Sequence, residues 1–259
     1  MILNLELGLG VASGKQNGKS DRKPTVNIAS DVHKELCHGG TNPAKIVFPG
    51  LAGRTSGKKE FKKMKKAIIA LLLVCVAVFA QQKGTFTDSR DGKKYKTVKI
   101  GEQIWMAENL NYDASGSKCY SNNSANCAKY GRLYNWSTAK SACPRGWHLP
   151  SESEYEILDK AVGSISTAGK KLRSKSGWNT GSDYVPDTDE FGFSALPGGY
   201  GDPDGSFVNV GDSGNWWSST EYYNYGAYGR YMYYDDEYAN WNNYNKNYLF
   251  SVRCLQDSP

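Results

Sequence analysis

Cys143-Pro-Arg-Gly-Trp-His-Leu-Pro-Ser-Glu-Ser-Glu-Tyr-Glu-Ile-Leu158 is the stretch whose reading decides the fold. Ser151 follows a proline, and Glu154 stands three residues later. That spacing is a capping box, in which the serine side chain serves an orphan N–H of the first turn and the glutamate serves the serine's own N–H. Tyr155, Leu158 and Val162 then recur at helical spacing, and Gly163 ends the element. Glu152, Glu154 and Glu156 suit the first turn of a helix, where the macrodipole favours negative charge, better than an acid/base site. His148, wedged among Trp147, Leu149 and Pro150, reads as a structural histidine that hydrogen-bonds the turn.

N-terminal to this stretch, Phe86 to Asn111 reads as a hairpin followed by a further strand. Asp91-Gly92 is read as a type I′ turn pair and Gly101-Glu102 as a second turn, with Tyr95, Val98, Ile100, Ile104 and Trp105 as apolar strand residues. Asn111 to Lys129 is a polar loop. Gly131 to Ala142 is predicted to be a helix whose apolar side includes Leu133, Tyr134 and Trp136.

C-terminal to it, Gly169 to Asp189 is predicted to be irregular and surface-exposed. Its Asp183, Asp187 and Asp189, with Glu190, offer oxygen ligands for calcium, although their spacing matches no EF-hand loop. Asp202-Pro-Asp-Gly-Ser206 reads as a tight turn. Residues 191–254 read as short strands: FGFSAL, GSFVNV, NWWSST, two tyrosine-rich runs and LFSVRC. Ten tyrosines and Trp241 lie between Tyr222 and Tyr248, interleaved with Asn, Asp and Gly. Tyrosine and tryptophan give stiff contact area with a polar tip, and Asn adds adaptable hydrogen bonding. Alternation along strands buries about half of such residues, so the surplus points to a binding face.

Three segments of different composition divide the chain. Residues 1–63 are rich in Gly, Ser and Lys without sustained periodicity, and are expected to be unstructured. Residues 64–80, MKKAIIALLLVCVAVFA, read as a secretory signal peptide, with Lys65 and Lys66 as the charged region, an apolar run to Phe79 and Ala80 at the cut. That position makes Met64 the expected start of translation, with 1–63 then a gene-model extension; a real N-terminal region with an internal membrane anchor is the alternative. The mature part is then 81–259, a secreted or cell-surface domain with no membrane span. Residues 1–66 carry 13 of the 32 Lys/Arg and 5 of the 26 Asp/Glu, leaving 19 basic against 21 acidic residues. The basic balance leaves with the leader, and with it the charge argument for nucleic acid.

Cys119, Cys127, Cys143 and Cys254 remain in the mature part. In an exported domain four cysteines read as two disulfides with three possible pairings. Cys119–Cys127, a local clip, and Cys143–Cys254, a long bridge, are favoured. By chain-entropy reasoning the long loop contributes roughly 3–5 kcal/mol and the short one about 2–3. There is no CxxC pair, and His148 is the only histidine after the leader, so neither zinc nor a Ser-His-Asp arrangement is expected.

Read together, DGKKYKTVKIGEQIWMAENLNY (91–112), GRLYNW (131–136), CPRGWHLPSESEYEIL (143–158), DEFGFSALPGGY (189–200), WWSSTE (216–221) and SVRC (251–254) resemble the Fibrobacter succinogenes major paralogous domain. The resemblance covers nearly all of residues 86–257. It implies an exported protein of Fibrobacter or a related bacterium. It also implies an α+β, C-type-lectin-like fold: a small mixed sheet flanked by two helices, with long loops and the termini drawn together. The HLPSESEYE segment is similar to a helix opening in formylglycine-generating enzymes, whose catalytic cysteines have no counterpart here. The EPN and QPD calcium motifs of sugar-binding C-type lectins are absent, and Trp241-Asn242-Asn243 is only loosely similar to their WND segment.

The expectation is therefore a non-catalytic binding module without a required cofactor. Trp217, Tyr222, Tyr223, Tyr225, Arg230, Tyr231 and Trp241 are its candidate ligand-binding residues, and a polysaccharide or cell-surface component its candidate partner. A structural envelope domain that packs against copies of itself or a neighbour is the alternative. A carboxylate-pair hydrolase is the remaining catalytic reading.

Overall fold

The computed structural model describes residues 82–258. The segment read as a signal peptide, the segment before it, Cys37 and Cys75 lie outside the described residues. Among the described residues the fold is α+β, with two sheets and four α-helices.

Strands β1 (Lys83–Thr87), β2 (Lys94–Ile100) and β3 (Gln103–Met106) form a meander. The predicted Gly101-Glu102 turn joins β2 to β3, with Ile100 opposite Gln103. The predicted Asp91-Gly92 turn is part of a wider loop instead. The Asp88 side chain is buried and holds Arg90, so the chain winds around it, and the Asp88 N–H reaches the Lys93 carbonyl at 2.8 Å.

The polar loop contains helix α1 (Ser124–Tyr130), capped by Asn123. The helix expected from Gly131 starts later. Leu133–Tyr134 is strand β4, and α2 (Trp136–Ala142) begins only where the Asn135 side chain accepts the Thr138 N–H at 2.9 Å. Strand β5 (Trp147–His148) leads into α3 (Glu152–Val162), whose capping box is formed as predicted, with Glu154 accepting from the Ser151 N–H at 2.7 Å.

A helix that the sequence did not signal follows, α4 (Ile165–Leu172). Its Gly169 meets the distant Glu237–Tyr238 segment so closely that a Cβ would lie 2.2 Å from the Tyr238 carbonyl oxygen. The predicted exposure of 169–189 holds for most of 175–183 but is corrected at Gly169, Leu172, Arg173, Ser174 and Trp178, which are buried. Arg173 is buried, and its guanidinium binds the buried Asp187 carboxylate and the carbonyls of Val185, Tyr233 and Asp236. FGFSAL forms no strand beyond one Arg173–Ala195 bridge, because Ser194 adopts a φ of 54°.

The second sheet is mixed. It contains β6 (Gly198–Gly201), β7 (Phe207–Val210), β8 (Ser213–Tyr222), β9 (Gly226–Tyr233), β10 (Asn240–Asn245) and β11 (Phe250–Ser251). Its order is β10-β9-β8-β11-β4, with β6 parallel to β8 and β7 against β6. The last strand, β12 (Leu255–Gln256), pairs with β3 and β5, so the C-terminus closes the first sheet beside the N-terminal meander.

Two large apolar cores and a small third one, of Tyr120, Leu133 and Leu249, result among the described residues. Val98, Ile100, Trp105, Tyr155, Leu158, Val162, Phe193, Trp216 and Met232 fill one, between the sheets and α3. Tyr95, Met106, Tyr134, Trp136, Trp147, Trp217 and Phe250 fill the other, under α2. Both favoured disulfides are present, Cys119–Cys127 and Cys143–Cys254, with sequence separations of 8 and 111. The long one ties the end of α2 to the C-terminal strand.

Candidate functional site

The tyrosine-rich region is the three-stranded run β8-β9-β10, and its strands set which rings face out. Alternate residues of a strand point to opposite faces. Arg230 and Met232 of β9 face α3, while Tyr231 and Tyr233 face the other way. Neither face of the run is bare. On the α3 side, Arg230 is 1% exposed and forms a two-pronged pair with Asp159, one arm at 2.9 Å. Its guanidinium lies 5.4 Å from the Tyr155 ring centroid and 5.2 Å from that of Trp241. Trp241 itself is half-buried and packs edge-on against Tyr155 at 5.4 Å.

On the opposite face Trp217 is 0% exposed, donates its indole N–H to the Tyr134 carbonyl at 2.8 Å and lies 4.4 Å from Phe250. Two of the seven candidates are therefore corrected. Trp217 and Arg230 are core residues, because a strand pair covered on both faces buries its inward positions whichever side they take.

Trp241 stays half-buried on the α3 side, and the other four candidates separate into two groups. Tyr222, Tyr223 and Tyr225 lie on and beside the turn that joins β8 to β9. Tyr223 and Tyr225 are each 68% exposed. Tyr222 is intermediate, 4.5 Å from Tyr223 and 5.2 Å from Tyr228, both edge-on. The Tyr222 hydroxyl pKa is raised, first by its neighbour Tyr223. Tyr223, Asn224 and Tyr225 line an open depression at this tip.

The turn is held in place. Lys246 donates its ammonium to the Asn224 carbonyl at 2.8 Å and pairs with Glu221, while its backbone N–H reaches the Tyr225 carbonyl at 3.1 Å. The same ammonium lies 4.6 Å over the Trp136 ring. Tyr223 adopts a φ of 55°, a left-handed conformation that is uncommon for a bulky residue and concentrates at functional sites.

Tyr231 is in the second group, a layer of half-buried rings that includes Tyr200, Tyr233, Tyr244 and Tyr248. Burial, and then the neighbouring hydroxyls, raise the Tyr244 pKa. Gly229 of β9 leaves room for this layer, since a Cβ there would lie 2.9 Å from both Tyr244 and Phe250. The tyrosine-rich stretch from Tyr222 to Tyr248 leaves out Tyr200, which reaches the layer from β6. No pattern in one strand reports a partner supplied by another.

The calcium candidates do not converge. Asp187 is spent on Arg173 and Tyr184, and Asp189 accepts the Ser194 N–H and hydroxyl at 2.9 and 2.7 Å. Among the described residues no group of three or more His, Cys, Asp or Glu is placed to hold a metal ion. No helix among them is long and apolar enough to cross a membrane. His148 bonds through both ring nitrogens, to Asp257 at 2.7 Å and Glu154 at 2.9 Å, which makes it a clasp between α3, β5 and the C-terminus.

The model of the Fibrobacter succinogenes major domain matches residues 98–256. The chain belongs to that family. The matched span takes in both sheets except β1 and the start of β2, all four helices, the tyrosine-rich tip and the tyrosine layer. No curated protein and no solved structure matches this family member.

Proposed function

We propose that this member of the Fibrobacter succinogenes major domain family is an exported, non-catalytic binding module. It takes a polysaccharide or cell-surface component on Tyr222, Tyr223 and Tyr225. The observation that carries this reading is a pair of largely exposed tyrosines on a turn pinned by Lys246. An exposed ring ordinarily costs a soluble domain contact with water, and a fixed one is a preorganised platform for the apolar face of a sugar ring. Export is supported by the signal-like run at 64–80 and by two disulfides, which persist in oxidising compartments. A C-type-lectin-like fold is supported by the C-terminal strand lying between β3 and β5, by helices α2 and α3, and by the long loops.

The test is a pull-down of the oxidised chain on a panel of insoluble and immobilised polysaccharides, cellulose included, with calcium and with chelator. Saturable retention that falls by about tenfold or more in Tyr223→Ala/Tyr225→Ala is the expected result, each stacked ring contributing on the order of 1 kcal/mol. Retention that the double variant leaves unchanged places the platform elsewhere and ends the proposal.

A further inference from the structure

We propose that the second tyrosine group, on the face of β9 turned away from α3, docks a lysine- or arginine-bearing peptide segment of another protein. This site is separate from the turn at the β8–β9 tip and does not depend on what that turn binds.

Geometry supplies the first reason. Tyr231 and Tyr233 stand 5.6 Å apart and nearly perpendicular, at 74°. Tyr248 lies 6.0 Å from Tyr200 and 5.8 Å from Tyr244. All five rings are partly exposed. Rings set at angles to one another present negatively polarised faces from more than one direction, which is the arrangement that holds a cation.

Charge supplies the second. From Gly198 to Asn245 the sequence carries seven Asp/Glu and one basic residue, Arg230, which is buried against Asp159. Glu221 pairs with Lys246 and Glu237 with Lys170. Asp202, Asp204, Asp212 and Asp235 form no ion pair among the described residues. Each lies beside the rings: Asp212 and Asp235 act on the Tyr233 hydroxyl, Asp202 and Asp204 on that of Tyr248. A patch of aromatic faces rimmed by unneutralised carboxylates is complementary to a chain that carries spaced cations on apolar stems.

Topology selects a peptide over a cationic sugar. β10 is the terminal strand of its sheet, pairing only with β9 among the described residues. It lacks the proline, lysine or bulge that commonly blunts an edge. An extended peptide can pair along that edge while its basic side chains reach the rings, which a saccharide cannot do.

The experiment is calorimetric titration of the oxidised full chain with an oligolysine peptide at low and at physiological salt. An oligoglutamate peptide and a chitosan oligomer are run beside it. Oligolysine is expected to saturate, to weaken with salt, and to bind more tightly than either comparison ligand. Asp204→Asn/Asp235→Asn changes two exposed loop residues, so it keeps the fold, and is expected to weaken oligolysine binding about tenfold. Tyr233→Ala is expected to weaken it similarly, whereas Tyr233→Phe keeps the ring and the affinity. Tyr223→Ala/Tyr225→Ala leaves oligolysine binding unchanged, which separates this site from the polysaccharide platform. No saturable binding, an unchanged Asp204→Asn/Asp235→Asn variant, equal binding of oligoglutamate, or tighter binding of chitosan each overturns the proposal.

Discussion

Replacing Arg253 with methionine removes a guanidinium that is 0% exposed and forms no ion pair among the described residues. Two effects oppose each other there. Burial pushes the Arg253 pKa down from 12.5 to about 10, so holding the charge inside costs roughly 3 kcal/mol. Against that, the five N–H groups make five hydrogen bonds. Nε and Nη2 reach Asn109 Oδ1 at 3.0 and 2.7 Å, Nη1 reaches the Met106 and Phe193 carbonyls at 3.3 and 2.5 Å, and Nη2 reaches the Ser194 carbonyl at 3.3 Å. At about 1.5 kcal/mol for each bond from a charged donor, these supply about 7 kcal/mol. Hydrogen bonding wins, and Arg253→Met is expected to lose about 4 kcal/mol.

The loss does not fall evenly. Asn109 Oδ1 keeps the Trp216 indole N–H at 2.9 Å, while the Phe193 and Ser194 carbonyls lose the donor that Arg253 gives them. Lysine keeps the charge but offers three donors from one point, so Arg253→Lys is expected to fall about half-way. Urea unfolding followed by tryptophan fluorescence reads both, with the slope unchanged and the midpoint lowered. An Arg253→Met variant within about 1 kcal/mol of the parent would show that desolvation outweighs the five bonds, and would refute the accounting.

The other expectations follow from single contacts. Opening Cys143–Cys254 by serine substitution should cost about 3–5 kcal/mol and opening Cys119–Cys127 about 2–3, a ranking that urea midpoints of the two double variants decide. At His148, partial burial disfavours the imidazolium, but hydrogen bonds to Asp257 and Glu154 outweigh it and raise the pKa above 6.5. The clasp therefore stabilises fully below about pH 6.5 and is lost as pH rises through the higher folded value. His148→Gln should flatten that fall, by under about 1 kcal/mol because the site is part-open to solvent, and urea midpoints either side of neutrality measure it. Gly169→Ala should destabilise by about 2 kcal/mol despite alanine's better helix propensity, since its methyl meets the Tyr238 carbonyl; thermal unfolding that shows a gain instead would mean α4 shifts freely.

The elements legible in sequence are those whose cause is local. Ser151 and Glu154 close a capping box with each other, and Gly101-Glu102 turns β2 into β3 without help from elsewhere. The Cys119–Cys127 clip was legible for the same local reason, and Cys143–Cys254 only as the pair that remained. What was missed has its cause at a distance. α4 depends on Gly169 meeting a carbonyl almost seventy residues away, and the inward turn of Asp187 depends on Arg173, which also binds Tyr233 and Asp236. The Asp91-Gly92 turn was read from two residues whose geometry is set by a third, the buried Asp88.

The same distinction governs the tyrosines. Alternation along β9 separates Arg230 and Met232 from Tyr231 and Tyr233, but it does not say which set meets water. Here both sets meet something, α3 on one side and a ring layer assembled from β6, β9, β10 and Tyr248 on the other. A composition count therefore overstates the exposed strip at Trp217 and understates it at Tyr200. The turn escapes this ambiguity, because residues beyond the last paired position have no sheet face to pack on, and Tyr223 and Tyr225 stay largely exposed. The proposed platform is accordingly placed on the turn, where the expectation of exposed rings and the geometry agree.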